Sequence, residues 1–503
     1  MIGRCSSCSP IFNFTWEINL KFGNSLGKLF CVLLLCVVGQ ASAQTFTVLT
    51  SLSSVAPPGG AGNLVWSLVQ GLDGNFYSTT NGGGLTCANN PFATCGTVFK
   101  VTPAGKLTVI HDFCQNACTD GGAPFSGLFL SPNGNFYGTT TQDLVNHGGT
   151  VYSITPAGKV TSLFSFNGGS GQGTPYGPVI QADGALYGIT ALGGAAGDGT
   201  VYRLSSGGTL ATLHTFTGTD GNQVGLVGES LLQASNGDFY GVTPYGAQND
   251  NTCGTIFRMT PTGTFTTLYS FPNTSSEGCG PVDGLVQGAN GNFYGTAVGG
   301  GPANDGNIFQ MTPTGTLTVL YNFCSQSNCD DGSQPNAGMI LGTDGNFYGT
   351  TISGGANNDG VIFQLSPTGT FKTLYSFCSE PGCADGESAY SGLIQATDGN
   401  FYGTTSDGGG SGNGGTVFKL SMGLSPFLKS LPGYGKVGAQ VDILGTNLTG
   451  ATGVTFDGVA ATFRVAAPTV IVATVPTGAQ TGKIKVETPA GALVSNVAFR
   501  VLP

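Results

Sequence analysis

A seven-residue phrase, Asp/Asn-Gly-Asn-Phe-Tyr-Gly-Thr, recurs seven times with small variations, placing tyrosines at Tyr77, Tyr137, Tyr187, Tyr240, Tyr294, Tyr348 and Tyr402. The intervals are 60, 50, 53, 54, 54 and 54 residues. A unit of that size cannot bury its apolar face alone, so a period near 50 demands an array of small elements rather than one ordinary core. Residues 337–377 show one unit. Gly338-Met339-Ile340-Leu341 meets Asp344-Gly345, Asn346 to Thr351 follow, and a Gly/Asn loop leads to Val361 to Leu365. Pro367-Thr368-Gly369 then turns the chain into Thr370 to Phe377. These are four β segments rich in β-branched and aromatic residues. Asp-Gly predicts a tight hairpin with both central residues at positive φ. Pro-x-Gly supplies a preset φ and then a left-handed position.

Four-stranded units repeated about an axis predict a β-propeller. The seventh unit stops after its third strand, Thr416 to Leu420, while its missing fourth-strand phrase stands at Thr45 to Leu52. Six internal copies and this one match seven third strands, so the expectation is a seven-bladed ring closed by the N-terminal strand. An open solenoid or β-helix, the rival, has no need of that permutation and leaves strand edges unpaired.

Leu29 to Gly39 form an eleven-residue apolar run, preceded by Lys21 and Lys28 and followed by Ala41-Ser42-Ala43. That reads as a signal peptide over residues 1–43, too short to span a bilayer comfortably. An early start codon accounts for its length, and a retained anchor is the alternative. No second apolar stretch occurs, so no membrane span is expected after cleavage. Of the 16 basic and 26 acidic residues, the leader holds 3 and 1, leaving 13 against 25. Residues 44–423 carry 7 basic and 22 acidic residues, and 424–503 carry 6 and 3. An acidic main body repels phosphate backbones, so no nucleic-acid partner is expected.

Ten cysteines follow the leader, an even number in a chain read as exported, which predicts disulfides. Cys114/Cys118, Cys324/Cys329 and Cys378/Cys383 occupy one slot of the repeat, Cys87/Cys95 staple one long loop, and Cys253 and Cys279 are left for each other. Zinc is disfavoured: residues 44–503 contain no Cys-x-x-Cys, and His111, His147 and His214 are scattered.

After Ser421-Met422-Gly423 the repeat ends. Residues 424–503 alternate as short strands, at Val441 to Leu444, Val454 to Phe456, Ala461 to Val465, Val470 to Val475, Lys483 to Glu487 and Val497 to Val501. That pattern predicts an immunoglobulin-like sandwich.

Asp344 to Thr351, Gly354-Gly355, Val361 to Phe363 and Thr370 to Phe377 together resemble the GloVer tandem-repeat family of "choice-of-anchor" exported bacterial proteins, over residues 45–421. The resemblance implies a secreted or cell-envelope protein and no shared activity. Gly435 to Leu448, Gly450 to Gly458, Val475 to Ala479 and Thr488 to Gly491 resemble an IPT/TIG domain. In bacterial surface proteins such modules look like spacers or adhesion units. Their DNA-binding relatives do not suit an exported chain.

Chemical signatures are sparse. Gly23-Asn24-Ser25-Leu26-Gly27 fits the nucleophile-elbow pattern but lies in the leader, joins no strand to a helix, and reads as chance. Only Arg203 and Arg258 fall in the repeats, too few for an arginine grip on a carboxylate. Asp120, Asp220, Asp331 and Asp385 hold comparable places before their units' first strands. They read as solvated turn residues, or alternatively as an acidic ring for calcium or a cationic substrate, or as catalytic carboxylates. Trp66, Phe125, Tyr176 and Tyr390 fall near the same junction. They either fill gaps between units or stack on sugar rings. The expectation is an exported, non-catalytic, monomeric recognition or scaffolding protein whose partner is an extracellular glycan or surface protein. The alternative is a carbohydrate-active hydrolase or lyase using rim carboxylates. No cofactor is expected, save calcium as the candidate ion.

Overall fold

The computed structural model describes residues 44–502, apart from 54–63, 85–94, 115–117, 143–146, 169–171, 223–229, 247–252 and 273–276. The leader and Cys87 lie outside the described residues. The repeats fold as four-stranded antiparallel sheets of the β-propeller kind, spanning 69–112, 129–167, 180–215, 232–270, 279–322, 340–376 and 394–421. They are called the first to seventh sheets in chain order, with their strands numbered in order within each.

The recurring phrase has a direct physical reading. Along a strand, neighbouring side chains point to opposite faces, so Phe-Tyr sends one ring each way. The tyrosine of each sheet stacks on the phenylalanine of the next: Tyr77 on Phe136, Tyr187 on Phe239, Tyr240 on Phe293, Tyr294 on Phe347 and Tyr348 on Phe401, with centroids 4.0–4.5 Å apart. Tyr402 of the seventh sheet stacks on Phe76 of the first at 4.2 Å. Between the second and third sheets the phrase reads Ala185-Leu186-Tyr187, and Tyr137 packs in a cluster with Leu186.

The strand Thr45–Ser51 pairs antiparallel with Thr416–Ser421, the third strand of the seventh sheet. A register bulge opposite Val417/Phe418 matches those opposite Ile362/Phe363 and Ile256/Phe257 in the sixth and fourth sheets. Phe46 stacks on Tyr375 at 3.8 Å, as Phe265 stacks on His214 at 3.6 Å and Phe371 on Tyr321 at 4.0 Å. The N-terminal strand therefore makes the contacts of an internal fourth strand.

The Asp-Gly turns correct the expected hairpin geometry. At 342–346, Gly345 N–H donates to Gly342 O, and Gly345 alone carries positive φ, at 83°. The Asp344 carboxylate accepts from Asn346 N–H and from the Tyr348 hydroxyl at 2.8 Å, contacts that keep Asp344 right-handed. Asp73 and Asp398 do the same for Tyr77 and Tyr402. The two-residue turn with both φ values positive appears at Asp183-Gly184, where the loop is one residue shorter and no asparagine follows.

Residues 429–502 form two four-stranded antiparallel sheets, and Tyr434–Lys436 pairs in parallel with Arg500–Leu502. Both sheets share one core that includes Val441, Ile443, Phe456, Ile471, Ile484 and Phe499. The expected last strand is thus shorter and later than its sequence pattern suggests. This C-terminal part packs against the turns joining first and second strands. Thr469 Oγ1 donates to Leu72 O, Phe427 N–H donates to Thr397 O, and Lys429 Nζ donates to Gln395 O. Leu431 packs against the cluster of the first two sheets, and Arg500 lies beside the fourth-sheet turn at Gly237. It thus contacts the seventh, first, second and fourth sheets. Among the described residues no helix is long and apolar enough to cross a membrane.

Candidate functional site

Four of the five expected disulfides are formed among the described residues: Cys114–Cys118, Cys253–Cys279, Cys324–Cys329 and Cys378–Cys383. Cys95 is not in any of these four bridges. It is disulfide-bonded and 1% exposed, and its carbonyl accepts Ala123 N–H at 2.9 Å. Its expected partner, Cys87, lies outside the described residues. Three of the four clamp the loop that carries a sheet's fourth strand towards the next sheet, where the aspartates also lie. Asp331 accepts from the Tyr321 hydroxyl at 2.6 Å, Ser325 N–H at 2.9 Å and Gln326 N–H at 3.2 Å. Asp385 repeats this with Tyr375, Ser379 and Glu380. Both aspartates are fully buried. Asp120 and Asp220 instead meet His111 and His214, each at 2.9 Å. Each acid therefore ties its loop to an aromatic side chain on the preceding fourth strand, rather than presenting a free carboxylate in a row.

Carboxylates approach one another most closely beside the seventh sheet. Burial first, then the Asp385 charge, raises the pKa of Asp359; burial first, then Asp359, Asp407 and Asp385, raises that of Glu387. Side-chain ligand atoms of Asp359, Glu387, Cys378 and Cys383 lie within 4.8 Å of one another. The two sulfurs are committed to a disulfide, so Asp359 and Glu387 are the residues there that could hold a hard cation.

The aromatic candidates fall into two roles. Trp66 is 5% exposed and donates its indole N–H to Pro124 O at 2.9 Å, a packing role between sheets. Its ring lies 5.8 Å from Phe125, which lies 5.3 Å from Tyr176, a continuous run over the first three sheets. Phe125, Tyr176 and Tyr390 keep part of their surface open.

One cavity has a volume of about 270 Å³. It is lined from all seven sheets by residues at or before their first strands, including Ser67, Gly127, Pro178, Ser230, Gly338 and Gly392, with Trp66 and Tyr390 among its walls. Asp283 is the carboxylate in that lining. Its Oδ2 accepts Gly338 N–H at 2.7 Å, and Ser230 Oγ donates to its backbone carbonyl at 2.7 Å. Asp283 adopts φ 58°, a conformation costly for most residues but tolerated by Asp and Asn. It retains some surface towards the channel but is otherwise surrounded by protein. Desolvation lifts its pKa to about 7, and the Gly338 hydrogen bond opposes the shift only partly.

Asp283 is not among the residues that the sequence pattern singled out. The signal was present: Asp283-Gly284-Leu285 occupies the place of Ser126-Gly127-Leu128, Ala337-Gly338-Met339 and Ser391-Gly392-Leu393.

A family model described as the Gloeobacter/Verrucomicrobia repeat matches residues 39–230 and 226–462. No curated protein matches the sequence. Among solved structures, the chain is similar to PorZ, a bacterial surface component of the type-IX secretion system of Porphyromonas gingivalis. Identity is 14% and the TM-score 0.45, covering 89% of this chain and 60% of that one. It is also similar to an α-L-arabinanase of Penicillium chrysogenum, at 12% identity and TM-score 0.43, covering 75% and 99%. A putative gluconolactonase matches at 10% identity and TM-score 0.37, covering 76% and 94%.

Proposed function

The chain belongs to the Gloeobacter/Verrucomicrobia repeat family, and from that premise we propose an exported, non-catalytic binding protein that recognises glycan at the cell surface or outside the cell. Its architecture is a seven-bladed propeller over 44–423, closed by the strand Thr45–Ser51, with an immunoglobulin-like IPT/TIG domain over 424–503 and a signal peptide over 1–43. Supporting the closed ring are the Thr45–Ser51 pairing and the Tyr402–Phe76 stack. Four disulfides suit an oxidising compartment.

The observation that carries the binding reading is the channel. Tyr390 lines the cavity, and Phe125, Tyr176 and Tyr390 keep part of their surface open. Partly open aromatic faces beside a cavity suit a sugar ring, which presents an apolar face for stacking. Calorimetric titration of the full chain with a panel of oligosaccharides tests this. Binding that Tyr390→Ala weakens at least tenfold is the expected result, and a panel without a single binder rejects the glycan reading.

One observation favours the hydrolase or lyase reading: Asp283 holds its proton to about pH 7, as a general acid must. Two-carboxylate hydrolysis needs a second acid roughly 5–9.5 Å away, and among the described residues the channel lining offers Asp283 alone. Turnover of any oligosaccharide, lost in Asp283→Asn, would establish catalysis. Calcium is assigned to Asp359 and Glu387, and an unchanged melting temperature in millimolar calcium would remove that assignment.

A further inference from the structure

The glycan reading leaves open which chemical group enters the channel, and any assignment of that group rests on that reading. Among the described residues, Asp283 is the charged side chain of a lining that otherwise presents serine, glycine, proline, asparagine, aliphatic and aromatic groups. It also stands in a body that carries 22 acidic against 7 basic residues over 44–423. Desolvation works against this carboxylate, so a group kept there at φ 58° asks for a counter-charge.

The space around that carboxylate is kept clear. A Cβ at Gly338 would come within 3.3 Å of Asp283 Oδ2, and one at Gly392 within 3.7 Å. Neither glycine adopts the positive φ that would demand glycine for backbone reasons. A side chain at Gly338 would crowd the carboxylate, whereas one at Gly392 would make ordinary contact with it and press on Gly338 O, 3.2 Å away. A carboxylate can accept about four hydrogen bonds, and Gly338 N–H is the donor recorded for Asp283 among the described residues. Trp66 and Tyr390 stand in the walls of the same cavity, and aromatic rings attract cations.

We propose that the channel seats a primary ammonium group of the bound saccharide, a free amino sugar, against the Asp283 carboxylate. A hard divalent ion fits the lining less well, because it takes about six to eight oxygen ligands. Here Ser230 Oγ is committed to the Asp283 carbonyl and Ser391 Oγ to Thr404. With its pKa near 7 the carboxyl is only partly ionised at neutral pH, and ammonium binding would pull that value down and complete the ionisation.

Full-length protein is titrated by calorimetry at pH 7 with a glucosamine tetramer and with the same tetramer fully N-acetylated, using wild type, Asp283→Asn and Gly392→Ala. Asparagine tolerates the same φ and keeps a carbonyl for Gly338 N–H, so Asp283→Asn removes charge with little change in shape. Thermal melts check folding of both variants. Wild type is expected to bind the free amine at least tenfold more tightly than the acetylated form. Asp283→Asn should abolish that preference, and Gly392→Ala should reduce it by crowding alone. Equal binding of both tetramers by wild type, or a preference that survives in Asp283→Asn, overturns the assignment and leaves the glycan reading standing. Binding of neither overturns the ammonium assignment, and the glycan reading then stands or falls with the oligosaccharide panel. A calcium-induced rise in melting temperature that Asp283→Asn removes would make the channel a metal site and likewise overturn the ammonium assignment.

Discussion

Replacing Asp283 by asparagine tests the channel through stability as well as binding. The carboxyl is held near 7 instead of its ordinary 3.8. Between those values the folded protein binds more protons at this site than the unfolded chain, so stability falls as pH rises from about 4 to about 7 and the loss stays constant above. At about 1.4 kcal/mol per pH unit the full penalty is about 4 kcal/mol. The residue is half-buried, so the real figure should be smaller. Asparagine does not titrate. Comparing urea unfolding of the two proteins from pH 5.5 to 8 keeps clear of the isoelectric point near 4.6 and cancels their shared charge effects. The asparagine variant should be more stable at pH 8, and its advantage should grow by up to about 2 kcal/mol between pH 5.5 and 7. A pH-independent gap, or a wild type more stable at pH 8, would refute the desolvated channel carboxylate.

Tyr348→Phe removes the hydroxyl that donates to Asp344 and accepts from Gln364 at 2.8 Å. It should cost about 1–2 kcal/mol in thermal or urea unfolding; no loss would mean the turn carboxylate is satisfied by Asn346 alone. Cys253→Ala with Cys279→Ala opens a bridge of sequence separation 26, against 5 for Cys324–Cys329. Chain-entropy arguments give about 3.5 against about 2 kcal/mol, so the longer loop should lower the unfolding midpoint more. Lys429 is buried against Gln395 O and its pKa is pushed down to about 8. Lys429→Met should therefore be more stable than wild type at pH 7, by about 1–2 kcal/mol after the lost hydrogen bond. Its advantage should shrink above pH 8, as the wild-type folded state sheds a proton that the unfolded chain keeps. A constant difference up to pH 10 would speak against burial of that ammonium.

The repeat phrase made much of the fold legible, because each of its residues has a local task. Phe347 and Tyr348 face opposite neighbours, Gly345 takes the left-handed position, and Asp344 holds the turn and the tyrosine hydroxyl together. The exact turn was not legible: Asp-Gly is common to both hairpin types, and one residue of loop length separates Asp183-Gly184 from its counterparts. Asp120, Asp220, Asp331 and Asp385 were found by position, but their bonds to His111, His214, Tyr321 and Tyr375 depend on a strand and a loop folding back on each other. Asp283 escaped because its meaning lies in what surrounds it, the starts of seven separate sheets. The seat of the C-terminal sheets was equally hidden, since contacts such as Thr469 to Leu72 join residues 397 positions apart through single polar groups.

A cross-link between the two ends of the repeat region tests the closed ring most directly. Thr47 and Lys419 are opposed across the antiparallel pair formed by the N-terminal strand and the seventh sheet. In the double variant Thr47→Cys/Lys419→Cys, mild oxidation followed by peptide mapping should recover a 47–419 disulfide within single chains in high yield, alongside the native bridges. Two free thiols at those positions, or links only between chains, would contradict the ring and the axial channel that depends on it.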